Sequence, residues 1–438
     1  MRRTPPVALS LVFALVLVLA LPLGAAAAPA QSQPPNPCVG TMERQPDGPT
    51  LMSIQGTHMT DDGYEKTEAR LVAAAPNGSV YWVRDNSAAG RWWTYDVDPL
   101  PNGNVLLSTT EPGVTVVEEL DATTGKPVSV TRYPNVSDAH DVDLINGDEL
   151  VFADKGDYHN RVVVYNRTTQ EVVWQYRFAD HPDQFPRSGG GEYGKDWTHV
   201  NDVDQIAPGQ FLVSLKNFNR VVVINRSTKE ITLSLGSNDN RTIMNRQHNP
   251  EYLRGPDGRP TILVADSLND RVVEYAKTGD GWTRTWQLVG GGLDEPRDAD
   301  RLPNGNTLVA DRKGHRVLEV TPQGRVVWEF YTPWQTYDAE RYNLGDEPGG
   351  PTAQELGVTG TKRMVNSQNR SDAEIQDCAA YLNDFSGGGG QFFGVGGGGQ
   401  GGDRPGGGGG GGVPLVPVAV VVAVVLVLGA VAAVVLRR

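Results

Sequence analysis

The sequence predicts an all-β fold, a six-bladed β-propeller with four-stranded blades whose ring is closed by N- and C-terminal strands. The first observation is a short strand phrase that returns six times, with starts spaced by roughly 40–60 residues, as in propeller blades. The second is that the body of the chain lacks a sustained helical period, so almost no helix is expected there. The copies begin at Tyr95, His140, Asn201, His248, Arg297 and Tyr337.

Each copy alternates apolar and polar residues, bends at a turn such as PNGN, and continues as a second strand. A third strand follows in four copies, beginning at Arg161, Arg220, Arg271 and Arg316. A fourth strand often carries tryptophan, which completes the usual plan of a blade. The sixth copy has only its first strand, so we expect its partners to come from the segments that begin at Thr50 and Ala69.

The two cysteines, Cys38 and Cys378, bracket this body of repeats. An even number of cysteines in an exported chain favours a disulfide, although two separate thiols remain an alternative. A bond between them would lock the seam at which the first and last strands are predicted to meet.

The chain divides into five predicted segments. Residues 1–30 have the charged start, apolar stretch and small-residue end of a signal peptide, with cleavage near Ala28–Ala30. Residues 31–49 form an N-terminal extension, 50–384 the propeller and 385–413 a glycine-rich linker. Residues 414–438 are long and apolar enough for a transmembrane helix with a basic tail. The expected location is therefore the cell membrane, with one span and the propeller outside.

The formal charge of −13 makes nucleic acid an unsuitable partner, because the phosphate backbone attracts basic surfaces. An acidic, lysine-poor exported surface favours a high-salt habitat, and a GC-rich genome is the alternative explanation. No DxDxDG loop occurs, so neither a metal site nor a cofactor is predicted. We expect a monomer.

The first strand of a propeller blade lines the central channel, so the six repeat starts are predicted to face one axis. A second row, two residues earlier on the same strand face, consists of Trp93, Asp138, His199, Arg246, Glu295 and Gln335. Together these rows would place titratable and aromatic groups in one channel. The alternative is a hydrated channel whose polar groups only bond to one another and to water.

Two segments carry a family resemblance. DWTHVNDV around His199, and RQHNPEY around His248 with the following ILVADSLNDRVVEY, resemble histidine motifs of the bacterial arylsulfotransferase propellers. LPNGNTLVADRKGHRV is similar to NHL-type repeats of binding propellers. The first resemblance implies that His199, His248 and Arg271 are catalytic. Because arginines recur at the position of Arg271 in other repeats, a structural pairing is an equal alternative for this residue.

The same resemblance implies transfer of a sulfuryl group from a small phenolic sulfate donor to a phenolic acceptor. The family's further histidine, which takes the sulfuryl group one blade later, has no counterpart, since no histidine lies between His248 and His315. We expect His248 to replace it and His199 to act as acid or base. A non-catalytic, NHL-like binding propeller on the cell surface is the alternative. The expected substrate-binding residues are His140, Asn201, Arg246, Arg297, Tyr95 and Tyr337.

Overall fold

A computed structural model describes residues 36–60, 63–156 and 160–385. In these residues the strands form six radial sheets, the blades, and one separate two-stranded hairpin. Blade 1 comprises Trp93–Pro99, Asn104–Glu111, Val114–Asp121 and Lys126–Tyr133. Blade 2 comprises Ala139–Ile145, Glu149–Asp154, Arg161–Asn166 and Glu171–Arg177. Blade 3 comprises Val200–Ala207, Gln210–Leu215, Arg220–Asn225 and Ile231–Gly236. The first four strands of blade 4 are His248–Arg254, Pro260–Asp266, Arg271–Thr278 and Gly281–Val289. The first four strands of blade 5 are Pro296–Arg301, Thr307–Asp311, Arg316–Val320 and Val326–Tyr331.

Blade 6 combines both ends of the ring, as the incomplete last copy predicted. Its inner strand is Gln335–Arg341, and the next three are Thr50–Gln55, Arg70–Ala74 and Val80–Asp85. The inner strand pairs antiparallel with Thr50–Gln55, so main-chain hydrogen bonds join the two ends of the propeller. The six-bladed ring and its mode of closure are therefore confirmed.

Two further strands lie on the outer edges of blades 4 and 5. Val39–Met42 pairs antiparallel with Val326–Tyr331, and Gly360–Arg363 pairs parallel with Gly281–Val289. The predicted extension 31–49 is thus partly built into blade 5, because its short strand covers an edge that would otherwise leave backbone groups unpaired. The separate hairpin consists of Thr57–Thr60 and Gly63–Lys66.

The predicted fold class needs one correction, the C-terminal transmembrane helix. In the described part of the chain, no helix is both long and apolar enough to cross a bilayer. The α-helix found there, Asp372–Asn383, has 12 residues and starts with a capping box between Ser371 and Glu374. Residues 414–438, on which the prediction rested, lie outside the described residues, as do the predicted signal peptide and almost all of the linker.

This helix packs on the seam of the ring through the predicted disulfide. Cys38 and Cys378 are bonded, with Cα atoms 4.8 Å apart, and both are fully buried. Around them lie Trp328, Phe330 and Leu382 in one apolar cluster. The cystine therefore joins the strand added to blade 5 to the helix that follows the last blade.

Candidate functional site

The six repeat starts converge on one axis, as their common register predicted. Tyr95 stacks on His140 with ring centroids 4.1 Å apart, and Tyr337 meets Tyr95 edge-on at 5.1 Å. His248 lies 5.9 Å from the ring of Tyr337, whose hydroxyl donates to the backbone oxygen of Asn201 at 3.3 Å. Together with Arg297, described below, these side chains form what we call the channel cluster.

A register shift in every blade helps to aim these side chains inward. In blades 1 to 5 the pairing of the inner strand slips at Thr94/Val97, Ala139/Val142, Val200/Asp202, His248/Pro250 and Pro296/Asp298. In blade 6 it slips opposite Tyr337. An extra residue at such a bulge redirects the neighbouring side chains. The row two residues earlier supports this geometry, since His199, Arg246 and Glu295 have positive φ angles of 47°, 58° and 53°.

His199 lies between a carboxylate and an ammonium group. Its Nδ1 is 2.6 Å from Asp196 Oδ1, and its Nε2 is 3.3 Å from Lys216 Nζ. A carboxylate at Nδ1 keeps the proton on that nitrogen, so Nε2 carries the lone pair that accepts from Lys216. His140 crosses the His199 ring edge-on at 4.9 Å and extends the imidazole cluster toward Tyr95.

His248 is held in one tautomer by Ser267 of blade 4, which is itself bonded to blade 5. Ser267 Oγ donates to Pro296 O at 2.7 Å, so it accepts from His248 Nδ1, which lies 2.9 Å away. The lone pair of His248 is then on Nε2, where it contacts the Arg297 guanidinium. Arg297 is itself bound at 2.5 Å by Glu295. An imidazole and a guanidinium thus meet at the centre of the channel.

The electrostatics of the cluster keep its imidazoles neutral. Burial, then Lys216, lowers the pKa of His199 well below the usual range, and burial, then Arg297, does the same for His248. Burial also lowers the pKa of His140, although Asp138 opposes the shift. Burial and the charge of Arg297 lower the pKa of Lys216 to about 7. Neutral imidazoles are available as nucleophiles or bases, and Lys216 can donate or accept a proton near neutral pH.

The cluster is closed at its centre and more open at its rim. His248 is 1 % exposed and Arg297 7 % exposed. Trp93, Lys155, Lys216 and Arg246 are partly exposed, and Trp93 stacks parallel to Tyr95 at 5.8 Å. The rim therefore combines an aromatic surface with three cationic side chains, a suitable approach for an aromatic anion.

Arg271 is not bonded to the channel histidines in the structure. Its guanidinium donates to Asp266 at 2.6 Å, to Gln287, and to the backbone oxygens of residues 242 and 243. Arg161 pairs with Asp154, and Arg316 with Asp311, at the same blade position. In these three blades the repeated arginine joins the second and third strands, whereas Arg220 donates to Gln184 O and Ser234 Oγ. In blade 4 the partner of Arg271 is Asp266, whose sequence neighbour Ser267 orients His248. Arg271 is therefore linked to the site only through these two residues.

Sequence reasoning missed a third row of site residues, those that immediately follow the second strand of a blade. Lys155 binds Asp138 at 2.8 Å, Lys216 contacts His199, Ser267 contacts His248, and Arg312 binds Glu295 at 2.8 Å. The signal was present, because in blades 2 to 5 each of these residues comes directly after the apolar second-strand segment. Aligning the repeats at that point, as well as at the inner strand, would have found them.

Fold and site together define the class: a six-bladed propeller whose channel holds neutral imidazoles beside guanidinium and ammonium groups. The family model for Arylsulfotransferase (ASST) matches residues 39–249. The matched part includes His140, His199, Lys216 and His248, whereas Arg297 and Tyr337 lie beyond it. Over these residues the chain is similar to the arylsulfotransferase family, and the predicted resemblance is confirmed.

Similar solved structures are more distant. A Bacteroides caccae protein of unknown function is 13% identical, with a TM-score of 0.44, and the match covers 73% of this chain and 100% of that one. A chain of a nidogen/laminin complex is 12% identical, with a TM-score of 0.44, and the match covers 66% of this chain and 97% of that one. A streptogramin B lyase is 10% identical, with a TM-score of 0.39, and the match covers 67% of this chain and 86% of that one. These low scores support no argument about activity. No curated protein matches the chain.

Proposed function

We propose that this propeller is an aryl sulfotransferase that acts outside the cytoplasm and transfers a sulfuryl group from a phenolic ester to another phenol. The observation that carries the proposal is the contact between neutral His248 and Arg297, beside the His199–Lys216 pair. The match to the arylsulfotransferase family supports the reaction class. The buried disulfide supports an oxidising compartment, where such bonds persist.

Binding of the donor follows from the charges and rings of the cluster. A guanidinium presents two parallel N–H groups to the oxygens of a sulfate, and an ammonium adds a point charge. Arg297 and Lys216 would hold the sulfate in this way, while the partly exposed Trp93 offers a face for the phenyl ring. When the sulfate pairs with Arg297, that guanidinium no longer occupies the lone pair of His248.

The transfer then takes place in two steps. His248 Nε2 attacks sulfur, an N–S bond forms, and the S–O bond to the phenol breaks with its electron pair on the departing phenolate. The Lys216 ammonium protonates that phenolate. The acceptor phenol next gives its proton to the Lys216–His199 pair and attacks the same sulfur, which restores His248. Glu295 and Ser267 fix the orientation of the reacting groups throughout.

A binding propeller without catalysis is the second candidate. It is favoured by the burial of His248 and by the bonds that engage both of its ring nitrogens. In that case the cationic rim would recognise an anionic aromatic ligand and no S–O bond would break.

One assay separates the two candidates. The purified chain is mixed with para-nitrophenyl sulfate, with and without phenol, and nitrophenolate release and phenyl sulfate formation are measured. Release that depends on the acceptor, with matching phenyl sulfate, supports the transferase. Saturable binding of the ester without product, lost in Arg297→Met, would instead support the binding propeller.

Lys216 makes the binding of the donor sensitive to pH. Because its pKa of about 7 lies well below the usual value, Lys216 carries its positive charge below that pH and loses it above. We expect the KM for the sulfate ester to rise as pH increases through about 7. Lys216→Arg, whose guanidinium stays charged, should abolish that rise.

The matched control is Lys277→Arg on the third strand of blade 4, which should keep the wild-type profile. Initial rates against ester concentration at each pH give KM and kcat separately. An unchanged KM profile in Lys216→Arg would show that Lys216 does not hold the sulfate.

A further inference from the structure

A second layer of the channel is formed by carboxylates. They occupy two positions of the inner strands, one and three residues after the repeat start, and all are buried. The set, which we call the carboxylate ring, comprises Asp96, Asp98, Asp141, Asp143, Asp202, Asp204, Glu251, Asp298, Asp300, Asp338 and Glu340. The pattern follows from the repeat, since the same register recurs in successive blades.

Much of this ring has a structural role, which is to join neighbouring blades. Asp96 accepts from the backbone N–H of Val142 at 3.2 Å, and Asp338 from that of Val97 at 2.8 Å. Asp141 accepts in the same way from the N–H of residue 203, and Asp298 from that of residue 339. Each bond connects an inner strand to the next one around the ring.

The series is interrupted between blades 3 and 4. The equivalent partner for Asp202 is residue 250, which is a proline and has no N–H to donate. No N–H group or hydroxyl donates to Asp202 Oδ2 or Asp204 Oδ2, although each residue is only 5% exposed, and the two carboxyl groups interact with each other. A buried carboxylate without a partner is costly, so these oxygens call for a ligand that the backbone does not supply.

The unpartnered oxygens lie in a site with further donors. Asp141, Asp202 and Asp204 each place a ligand atom within 4.8 Å of the others. Asp204 also forms such a group with Asp346 and Glu347, from the loop after the last inner strand. Burial raises the pKa of Asp141 to about 8, and burial with the neighbouring carboxylates raises those of Asp202 and Asp204.

We propose that Asp141, Asp202 and Asp204 form a binding site for a hard divalent cation, Ca²⁺ or Mg²⁺, in the channel. Carboxylate oxygens are the ligands these ions prefer, and Asp204 belongs to a second such group with Asp346 and Glu347. A bound cation would give the Asp202 carboxylate the partner that Pro250 cannot supply. The ligands come from two neighbouring blades, which is why no contiguous metal motif predicted them.

The test measures metal binding directly on the full chain, independently of any activity. Chelator-treated protein is dialysed against Ca²⁺, Mg²⁺ or Na⁺ alone, bound metal is quantified, and thermal unfolding is followed with and without each ion. We expect saturable binding of one of the divalent ions and a rise in melting temperature that follows its concentration, because a ligand of the native state stabilises it. Na⁺ should produce neither effect.

Asp204→Asn should weaken divalent binding at least about tenfold, because it removes a ligand that both groups share. Asp202→Asn serves as a second variant if the first fails to fold. The control, Asp280→Asn, removes the same charge from an exposed turn and should bind like the wild type. Wild-type protein that binds neither divalent ion, or variants that bind as well as the control, would overturn the proposal.

Discussion

His248→Asn is expected to lower the rate of sulfuryl transfer by about 10²–10⁴-fold or more, the range for loss of a group that takes part in proton or nucleophilic chemistry. The amide keeps a polar group near Ser267 Oγ but has no basic lone pair for sulfur. A donor radiolabelled in its sulfuryl group should leave acid-labile label on the wild-type protein during turnover and none on the variant. The melting temperature of each protein checks that the fold is retained.

His315→Asn is the matched control for this substitution. His315 lies on the turn before the third strand of blade 5, where its Nδ1 is 2.8 Å from Trp334 O, and its φ of 55° is one that asparagine tolerates. Turnover should therefore stay near that of the wild type. If His248→Asn transfers sulfuryl groups as fast as His315→Asn, another residue is the nucleophile, and labelling of His199→Asn would identify whether it is His199.

Most of the fold could be predicted because its information is periodic. The inner-strand register fixed both which residues face the axis and how many blades there are, and the missing hairpin of the last copy located its partners after Thr50. The added strands Val39–Met42 and Gly360–Arg363 could not be predicted in this way. They are single short strands outside the repeat, and their pairing depends on which blade edges remain uncovered.

The site could be predicted in part, for the same reason. His140, His199 and His248 belong to the inner-strand rows and do converge, and Arg297 joins them from the next blade. Arg271 begins a third strand, which lies farther from the axis than the first two, and its side chain bonds within its own blade. Lys216 follows an ordinary second strand, and only the three-dimensional position of that strand's end brings it to His199.

Removing the disulfide is expected to destabilise the propeller by about 5 kcal/mol, because a bond between residues 340 positions apart greatly restricts the unfolded chain. Cys38→Ser with Cys378→Ser also places two hydroxyls among the apolar side chains of the seam. For a folded body of this size the melting temperature should fall by roughly 7 °C. Main-chain pairing between Thr50–Gln55 and Gln335–Arg341 should still close the ring, so the variant should fold.

Both sulfurs are fully buried, so reductant added to the native protein should leave its melting curve unchanged until unfolding begins. Calorimetry of the double variant, and of the wild type with and without reductant, measures these effects. A Cys38→Ser/Cys378→Ser variant that melts with the wild type would show that the strand pairing of blade 6 alone sets the stability of the seam. If the variant instead loses the inner-strand geometry, sulfuryl transfer should fall with it, since His248, Arg297 and Tyr337 reach the channel cluster from three separate blades.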